Sequence, residues 1–286
     1  MAVTLGEMVE VLETLYPLEL AESWDEPGLI VGDPSWPVRK VYCAVDPTEE
    51  TVQAAVDAGA DLLITHHPLY FRATHTVAGS TFRGAMVTTL IENHCALWVG
   101  HTNVDSAVRG QGFAFVHALR QWGLDVVDEG PLVPSSTLEG CGLGRMLSLV
   151  SAAENDDEVT LKDFARAVSC ILPATVSGVL VSGEPERVVH RVAVLPGSGD
   201  SEIATAHAAG ADVYVTSDLR HHPVLDARQE TGMAFIQTPH AAIEKLVFPI
   251  LVEDVSAALT ERFGQEGSAV RFEITELNTD PWDMRL

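Results

Sequence analysis

Two adjacent histidines follow an apolar run in DLLITHHPLY (61–70). The run predicts a buried strand, and ligands bind at the carboxyl ends of strands in open α/β sheets. Just past a strand end the backbone can turn both imidazoles, His66 and His67, toward one point. Pro68 stiffens that turn because its ring fixes φ. The pair is therefore a candidate metal site, and the alternative is a structural role for both rings.

A second candidate group is HTNVDSA (101–107), which directly follows the apolar segment CALWVG (95–100). This is again a predicted strand end, and it presents His101, Asn103 and Asp105. The aspartate and the asparagine could instead cap the turn or helix that follows.

A third group is PHAAIE (239–244), in which His240 and Glu244 are four residues apart. Thr238 followed by Pro239 is a favourable helix start, and in a helix this spacing puts both side chains on one face. The same pattern also occurs in ordinary helices without a metal.

A second HHP lies in TSDLRHHPVLDA (216–227). Four residues separate Thr216 from His221, whereas His66 follows Thr65 directly, so the two HHP elements differ in register. We expect His221 or His222 to line the same cleft without binding metal.

Taken together, these segments provide a mixed set of nitrogen and oxygen ligands of the kind that suits zinc, iron, manganese or cobalt. Three histidines, an aspartate and a glutamate make five protein ligands, which is more than one catalytic metal usually needs. Two divalent ions bridged by a carboxylate or water therefore fit better. The sequence contains no GxxxxGK[ST], GxGxxG, GxSxG or HExxH motif. PGSGD (196–200) could cradle an anion but is too short to be specific.

The elements that must position these residues include an internal repeat. VYCAVDPTEETVQAAVDAGADLLIT (41–65) aligns without a gap with VAVLPGSGDSEIATAHAAGADVYVT (192–216). Each copy predicts a strand, a turn, an amphipathic helix and a second strand, with the glycine of AGAD at the helix C-terminus. The repeat predicts an α/β fold with two related lobes; chance similarity of common βα units is the alternative.

The repeat and the connecting segments predict three regions. Residues 1–130 form the first α/β lobe, and residues 131–237 form the second. Residues 238–286 are expected to pack back on the first lobe and to supply metal ligands. SAAENDDE (151–158) predicts an acidic loop, after which Thr160 is a candidate helix N-cap.

The composition excludes several classes of protein. The net charge of −24 argues against a broad electrostatic contact with nucleic acid or anionic lipid. No apolar run has the length that spans a bilayer, and the first residues predict an amphipathic helix in place of a signal peptide. Four cysteines without a CxxC pair are expected to be buried free thiols, so we expect a cytoplasmic protein.

In this order, five segments resemble the NIF-three-like family, whose bacterial members are named GTP cyclohydrolase I type 2 homologues. They are WDEPGLIVGD (24–33), DLLITHHPLYF (61–71), HTNVDSA (101–107), TSDLRHHPVLDA (216–227) and PHAAIE (239–244). The resemblance spans most of the chain. It implies that two divalent metals are held by His66, His67, Asp105, His240 and Glu244.

The resemblance also implies two α/β lobes with the metal site between them and a ring-shaped homohexamer. Longer relatives carry an inserted middle domain, for which the stretch 130–190 leaves no room. Two positions depart from the family pattern: Ser217 replaces a usual glycine, and Ile243 replaces a usual serine or threonine. Neither change removes a metal ligand.

The function that the resemblance implies is metal-dependent hydrolysis of the GTP-cyclohydrolase type, in which activated water attacks the guanine ring. His101 or His222 is the expected proton shuttle, since imidazole titrates near neutral pH. Arg72, Arg83, Arg109 and Arg220 lie close to the motifs in sequence and are candidates to bind an anionic substrate. The alternatives are a dinuclear phosphoesterase acting on nucleotides and a metal-binding scaffold without turnover.

Overall fold

The computed structural model describes residues 2–150 and 158–286, in which helices alternate with strands to give a mixed α/β fold. The predicted acidic loop at 151–158 lies outside the described residues except for Glu158. In chain order the first elements are β1 (Val3–Thr4), α1 (Leu5–Leu15), β2 (Gly28–Val31), β3 (Pro37–Val38), β4 (Lys40–Ala44), α2 (Glu49–Asp57), β5 (Leu62–Thr65), α3 (Phe82–Glu92), β6 (Ala96–Val99) and α4 (Thr102–Ser106).

The following elements are α5 (Gln111–Trp122), β7 (Val126–Gly130), β8 (Val133–Pro134), β9 (Gly142–Leu143), β10 (Arg145–Leu149), α6 (Leu161–Ile171), β11 (Leu180–Ser182), β12 (Arg191–Ser198), α7 (Ile203–Ala208), β13 (Val213–Ser217), α8 (His221–Thr231), β14 (Ala234–Gln237) and α9 (His240–Glu244). The last are α10 (Val247–Phe263), α11 (Gln265–Ser268) and β15 (Arg271–Ile274). Short 3₁₀ helices lie at Leu18–Leu20 and Asp200–Glu202.

The chain forms two compact units. The first contains Met1–Ala107 and Phe248–Thr279, and the second contains Val108–Val247 and Asp280–Leu286. This division differs from the predicted break after residue 130. The physical reason is that α5 buries Phe115, Val116 and Leu119 in the same apolar cluster as strands β12 and β13 of the second unit.

The first unit is built on a five-stranded sheet in the order β15-β4-β5-β6-β2. Strands β4, β5 and β6 are parallel, and β2 pairs antiparallel with β6. All four residues of β5 and of β6 are buried, as expected for strands covered on both faces. Helix α1 begins at a capping box, in which Thr4 and Glu7 satisfy each other's backbone N–H groups.

The second unit is built on a six-stranded sheet in the order β11-β14-β13-β12-β10-β7. Strands β12, β13 and β14 are parallel, and β11 pairs antiparallel with β14. Helix α6 begins at Thr160, whose hydroxyl accepts from the Asp163 N–H at 3.2 Å. The predicted N-cap is thus confirmed.

The two sequence repeats pair their parallel strands in the same register where β4 and β12 begin, and a register shift follows Val194 in the second copy. Val41 pairs with Leu62 in the first copy, and Val192 pairs with Val213 at the same repeat positions in the second. The AGAD glycines, Gly59 and Gly210, have φ of 68° and 80°, the left-handed conformation that a helix C-terminus needs. The motif therefore ends the helix in each copy.

The aspartate of AGAD holds the start of the preceding strand. Asp61 Oδ2 accepts from the backbone N–H groups of Arg39 and Lys40 at 2.8 and 3.1 Å. Asp212 Oδ2 accepts from His190 and Arg191, both at 2.9 Å. The two aspartates thus fix the first residues of strands β4 and β12 at equivalent positions in the two repeats.

Cysteine burial matches the prediction at three positions and not at the fourth. Cys43, Cys95 and Cys141 are buried, whereas Cys170 is exposed on α6. The reason is its place on that amphipathic helix, whose buried face is formed by Leu161, Phe164 and Val168.

Candidate metal centre

His66 and His67 are fixed where strand β5 ends. The His66 and His67 N–H groups donate to Ala44 O and Val45 O at 3.2 and 2.9 Å, so the pairing with β4 and its continuation extends two residues past the strand. The Thr65 hydroxyl donates to His67 O at 2.8 Å and tightens the turn. His66 is 1% exposed and His67 is half-buried.

His101 and Asp105 come from the end of the neighbouring strand, β6. His101 is the N-cap residue of α4, and its side chain is largely buried. Asp105 Oδ1 lies 3.6 Å from His66 Nε2. Each of His66, His67 and His101 offers a ring nitrogen within 4.8 Å of the other two. The first unit therefore contains a group of three imidazoles with a carboxylate beside it.

Asn103, which lies in the same motif, has a structural role. Its Oδ1 accepts from the His101 N–H at 3.0 Å, and its Nδ2 donates to Tyr16 O at 2.9 Å. Asn103 thus ties the N-cap residue of α4, which makes no side-chain cap hydrogen bond of its own, to Tyr16, while the aspartate of the same motif faces His66.

In the first unit each histidine of the group donates its Nδ1–H to an oxygen acceptor. The acceptors are Gly100 O for His66 at 2.8 Å, Asp46 Oδ1 for His67 at 2.7 Å and Asp25 Oδ2 for His101 at 2.9 Å. Such bonds fix the tautomer and direct the lone pair of Nε2 toward a metal.

Asp25 is held as a carboxylate by this arrangement. Burial raises the pKa of Asp25, but hydrogen bonds from His101 and Thr102 lower it by more, so the pKa lies below its ordinary value. An ionised Asp25 is the better acceptor for the His101 Nδ1–H.

The second unit contains a matching pair of donors on α9. His240 Nε2 lies 2.9 Å from Glu244 Oε1, and Glu244 is 3% exposed. The His240 Nδ1–H donates to Asp218 Oδ2 at 2.6 Å. The helix that Thr238 and Pro239 predicted is present, and it places both donors on one face.

A glycine leaves room for this pair. Gly197 has φ +82°, and a Cβ at this position would lie 2.7 Å from Glu244 Oε1 and 3.8 Å from His240 Nε2. No side chain fits there without displacing the carboxylate. Gly197 therefore makes space for a carboxylate, which differs from the anion-cradling role considered for PGSGD.

His221 and His222 lie on a different element from His240. They form the exposed first turn of α8, with their ring centroids 5.0 Å apart. Arg220, which precedes them, is ion-paired with Asp200. His222 as a proton shuttle stays a prediction, since no contact of it with His240 or Glu244 is recorded among the described residues.

The donor set fits a divalent transition metal. Imidazole nitrogens with one or two carboxylates suit zinc, iron, manganese and cobalt, and all four histidines are oriented through Nδ1 by an oxygen. Nε2 of His66 faces Asp105 and Nε2 of His240 faces Glu244, an arrangement that a purely structural role would not require.

Three supporting aspartates, Asp25, Asp46 and Asp218, were not predicted as site residues. Asp46 directly follows the apolar strand segment VYCAV, and Asp218 directly follows VYVTS. Both could have been found by this position at the end of a predicted parallel strand. Asp25 lies within WDEPGLIVGD, a segment used only for the resemblance.

Comparisons with known proteins define the family. The family described as Duf34/NIF3 (NGG1p interacting factor 3) matches residues 3–281. A Streptomyces coelicolor protein named GTP cyclohydrolase 1 type 2 homolog is 45% identical over 280 residues, which cover 97% of this chain and 93% of the relative. A Clostridium perfringens protein of the same name is 29% identical and is covered to 98%, as is this chain. The chain belongs to the Duf34/NIF3 family.

Solved structures agree with this assignment. A hypothetical protein of Staphylococcus aureus matches with a TM-score of 0.80 at 25% identity, and all of both chains is covered. A Bacillus cereus protein related to NIF3 matches with a TM-score of 0.78 at 26% identity, over 99% of both chains. The α/β fold of the chain is thus that of NIF3 proteins.

Across residues 2–150 and 158–286, no helix combines the length and the apolar character that crossing a membrane requires.

Proposed function

We propose that the chain is a metal-dependent hydrolase, with GTP-cyclohydrolase-type opening of the guanine ring as the best candidate reaction. Two findings support the proposal: the histidine and carboxylate groups of both units, and the name GTP cyclohydrolase 1 type 2 homolog carried by relatives. The observation that carries it is the common orientation of the four histidines, each held by an oxygen at Nδ1.

The proposed metal ligands are His66, His67 and Asp105 from the first unit and His240 and Glu244 from the second. They would hold two divalent ions of zinc, iron, manganese or cobalt. A bound divalent ion would lower the pKa of a water molecule toward ~7 and so supply a nucleophile at neutral pH.

His101 is the proposed proton carrier in the first unit. Asp25 fixes its Nδ1–H, so Nε2 is the atom that takes up or releases a proton. His222 on α8 is the alternative carrier, and substitution of each histidine separates the two.

The test combines metal analysis with product analysis. The protein is purified without added metal, its metal content is measured, and formate and phosphate release from GTP are followed. We expect two metals per chain and formate release that is lost in the double variant His66→Ala, Asp105→Ala. Phosphate without formate would indicate a phosphoesterase, and absence of both products with metal retained would indicate a scaffold.

A homohexamer is proposed for the assembled protein on the basis of the resemblance alone. Light scattering coupled to size-exclusion chromatography tests it, and a molar mass near that of one chain of 30.7 kDa would contradict it.

A further inference from the structure

Two exposed aromatic side chains flank His101 in the first unit. Trp24 is 59% exposed and Phe71 is 57% exposed. Their ring centroids lie 5.7 and 5.8 Å from that of His101, at interplanar angles of 78° and 82°. Both rings thus stand on edge to the imidazole, beside the group formed by His66, His67 and His101.

Large apolar side chains that are exposed together beside a polar cluster are typical of a ligand-binding or interaction site. Indole and phenyl rings bind planar rings by stacking, which tolerates differences in the hydrogen-bonding pattern of the ligand. A planar ring stacked on either side chain would lie within reach of the His101 imidazole, since each centroid is within 6 Å of it.

Phe71 also lines a cavity of about 580 Å³, a volume within the ordinary range of small-molecule sites. The cavity is formed by residues 70–83, between the HHP segment and helix α3. Its lining includes Arg72, Arg83 and the threonines 74, 76 and 81, but no aspartate or glutamate. This composition is notable in a chain with a net charge of −24.

Arg83 is held in place within this lining. Its Nε–H donates to Leu69 O at 2.7 Å, and its guanidinium lies 4.4 Å from the centroid of the Phe82 ring. Among the described residues no carboxylate is recorded in an ion pair with Arg72 or Arg83. A fixed guanidinium without a neutralising acid is suited to bind a phosphate or carboxylate.

We propose that these two features form one binding site for a ligand that combines a planar heteroaromatic ring with an anionic chain, of which a nucleoside polyphosphate is the simplest example. Trp24 and Phe71 stack on the ring and keep it beside His101. Arg72 and Arg83 bind the anionic chain in the cavity. The inference rests on the proposed function, which it deepens by assigning the residues that recognise the substrate.

The site is tested by titration calorimetry of the purified full-length protein with three probes: guanosine, inorganic triphosphate and GTP. The variants are Trp24→Ala, Phe71→Ala and Arg83→Gln, with Trp24→Phe as a conservative variant that keeps a stacking ring. Matched controls are Trp122→Ala, an indole 49% exposed in the second unit, and Arg166→Gln, whose side chain is 67% exposed on α6.

We expect guanosine and GTP to bind roughly five- to 150-fold more weakly to Trp24→Ala and Phe71→Ala, the range that loss of one stacking ring produces. Trp24→Phe should recover most of that loss. Arg83→Gln should weaken triphosphate and GTP by about tenfold or more while guanosine is unaffected. Both control variants should bind all probes as the unmodified chain does.

Unchanged guanosine affinity in both alanine variants, unchanged triphosphate affinity in Arg83→Gln, or no binding of GTP to the unmodified chain would each overturn the proposal. Formate measurements keep the two hypotheses apart. Weakened binding in the variants without formate release from the unmodified chain would retain the binding site and reject the cyclohydrolase. Formate release with the same KM in all variants would do the reverse.

Discussion

The ends of strands β5 and β13 occupy the same position in the two repeats and present different side chains. In the first unit Thr65 is followed by His66 and His67, and both imidazoles join the candidate metal group. In the second unit Thr216 is followed by Ser217 and Asp218, and Asp218 supports His240. The repeated backbone therefore presents candidate metal ligands directly at one strand end and a supporting carboxylate at the other.

The segments that follow the next strand of each unit, β6 and β14, are more alike in their side chains than the ends of β5 and β13 are. Strands β6 and β14 are each followed by a five-residue helix, α4 and α9, and each helix start carries a histidine with an acid four residues later. These pairs are His101 with Asp105 and His240 with Glu244. Each histidine donates its Nδ1–H to an aspartate from an earlier part of its own unit. What is common to the units is thus the support of histidine by aspartate at a strand end.

Substitutions at the ends of strands β5 and β13 test the difference between the two units most directly, and we expect the largest effect at the end of β5. His66→Ala removes an imidazole, and we expect metal affinity to fall by more than the roughly 10- to 100-fold that loss of a supporting residue costs. Ser217→Ala, at the same repeat position, should retain metal, since Ser217 contacts only the Thr238 hydroxyl among its recorded side-chain bonds, at 3.0 Å. Elemental analysis after dialysis against a chelator measures both. Equal metal content in the two variants would contradict a ligand role for His66.

The supporting aspartates allow a second test, with a smaller expected effect. Asp46→Ala and Asp218→Ala each leave a histidine in place without its carboxylate acceptor. We expect each to lower metal affinity by roughly 10- to 100-fold, because the ring loses its fixed orientation and some basicity. Competition with a chromophoric chelator gives the affinities. Gln53→Ala, an exposed hydrogen-bonding residue on α2, serves as the control. An affinity that matches the control would show that the supporting bonds do not matter.

The sequence predicts those parts of the fold that depend on residues close together in the chain. Apolar runs predicted strands β4, β5, β12 and β13, since strands buried on both faces require such runs. Thr160 and Pro239 predicted the starts of α6 and α9 because helix N-termini have specific chemical needs. The assignment of α5 to the second unit needs more than local information, because it depends on which sheet the apolar face of that helix packs against.

The residues of the candidate site also fall into those that local sequence predicts and those that only the folded sheet brings together. The histidines and acids of the motifs were predicted from position after strands and from helical spacing. The hydrogen-bond partners of Asp25 and Asp46 could not be assigned, since Asp25 precedes His101 by 76 residues and Asp46 precedes His67 by 21, although Asp46 itself could have been found by its position after a strand. No periodic pattern connects residues at such separations. Their pairing follows only from the sheet, which brings successive strand ends to one edge.

Gly197 offers a third test, confined to the second unit. Gly197→Ala combines a left-handed φ of +82° with a Cβ that meets Glu244 Oε1 at 2.7 Å. We expect a loss of unfolding free energy of about 1–2 kcal/mol or more, and displacement of Glu244. Gly232→Ala, with φ +69° and nothing within 4 Å of the new Cβ, isolates the backbone contribution. Urea denaturation gives both values, and an equal loss in the two variants would mean that the contact with Glu244 costs nothing.

The smallest expected effect concerns the basic residue that begins the first strand of each repeat. Lys40 pairs with Glu273 at 2.8 Å, and Arg191 pairs with Glu129 at 2.6 Å. Hydrogen bonds from Arg191 and Ser148 hold the pKa of Glu129 below its ordinary value of 4.5. A depressed carboxyl pKa stabilises the fold at pH above the ordinary value, and this stabilisation is lost as the pH falls through the folded-state pKa.

Glu129→Gln should therefore be less stable than the unmodified chain by about 0.2–1 kcal/mol near neutral pH, the range of exposed ion pairs. The difference should shrink as the pH falls below 4.5 and the unmodified Glu129 becomes protonated. Urea denaturation across this range measures it, and Glu273→Gln provides the same substitution in the first unit. A stability difference for Glu129→Gln that persists unchanged at low pH would assign the effect to packing of the side chain, because protonation removes only the electrostatic part.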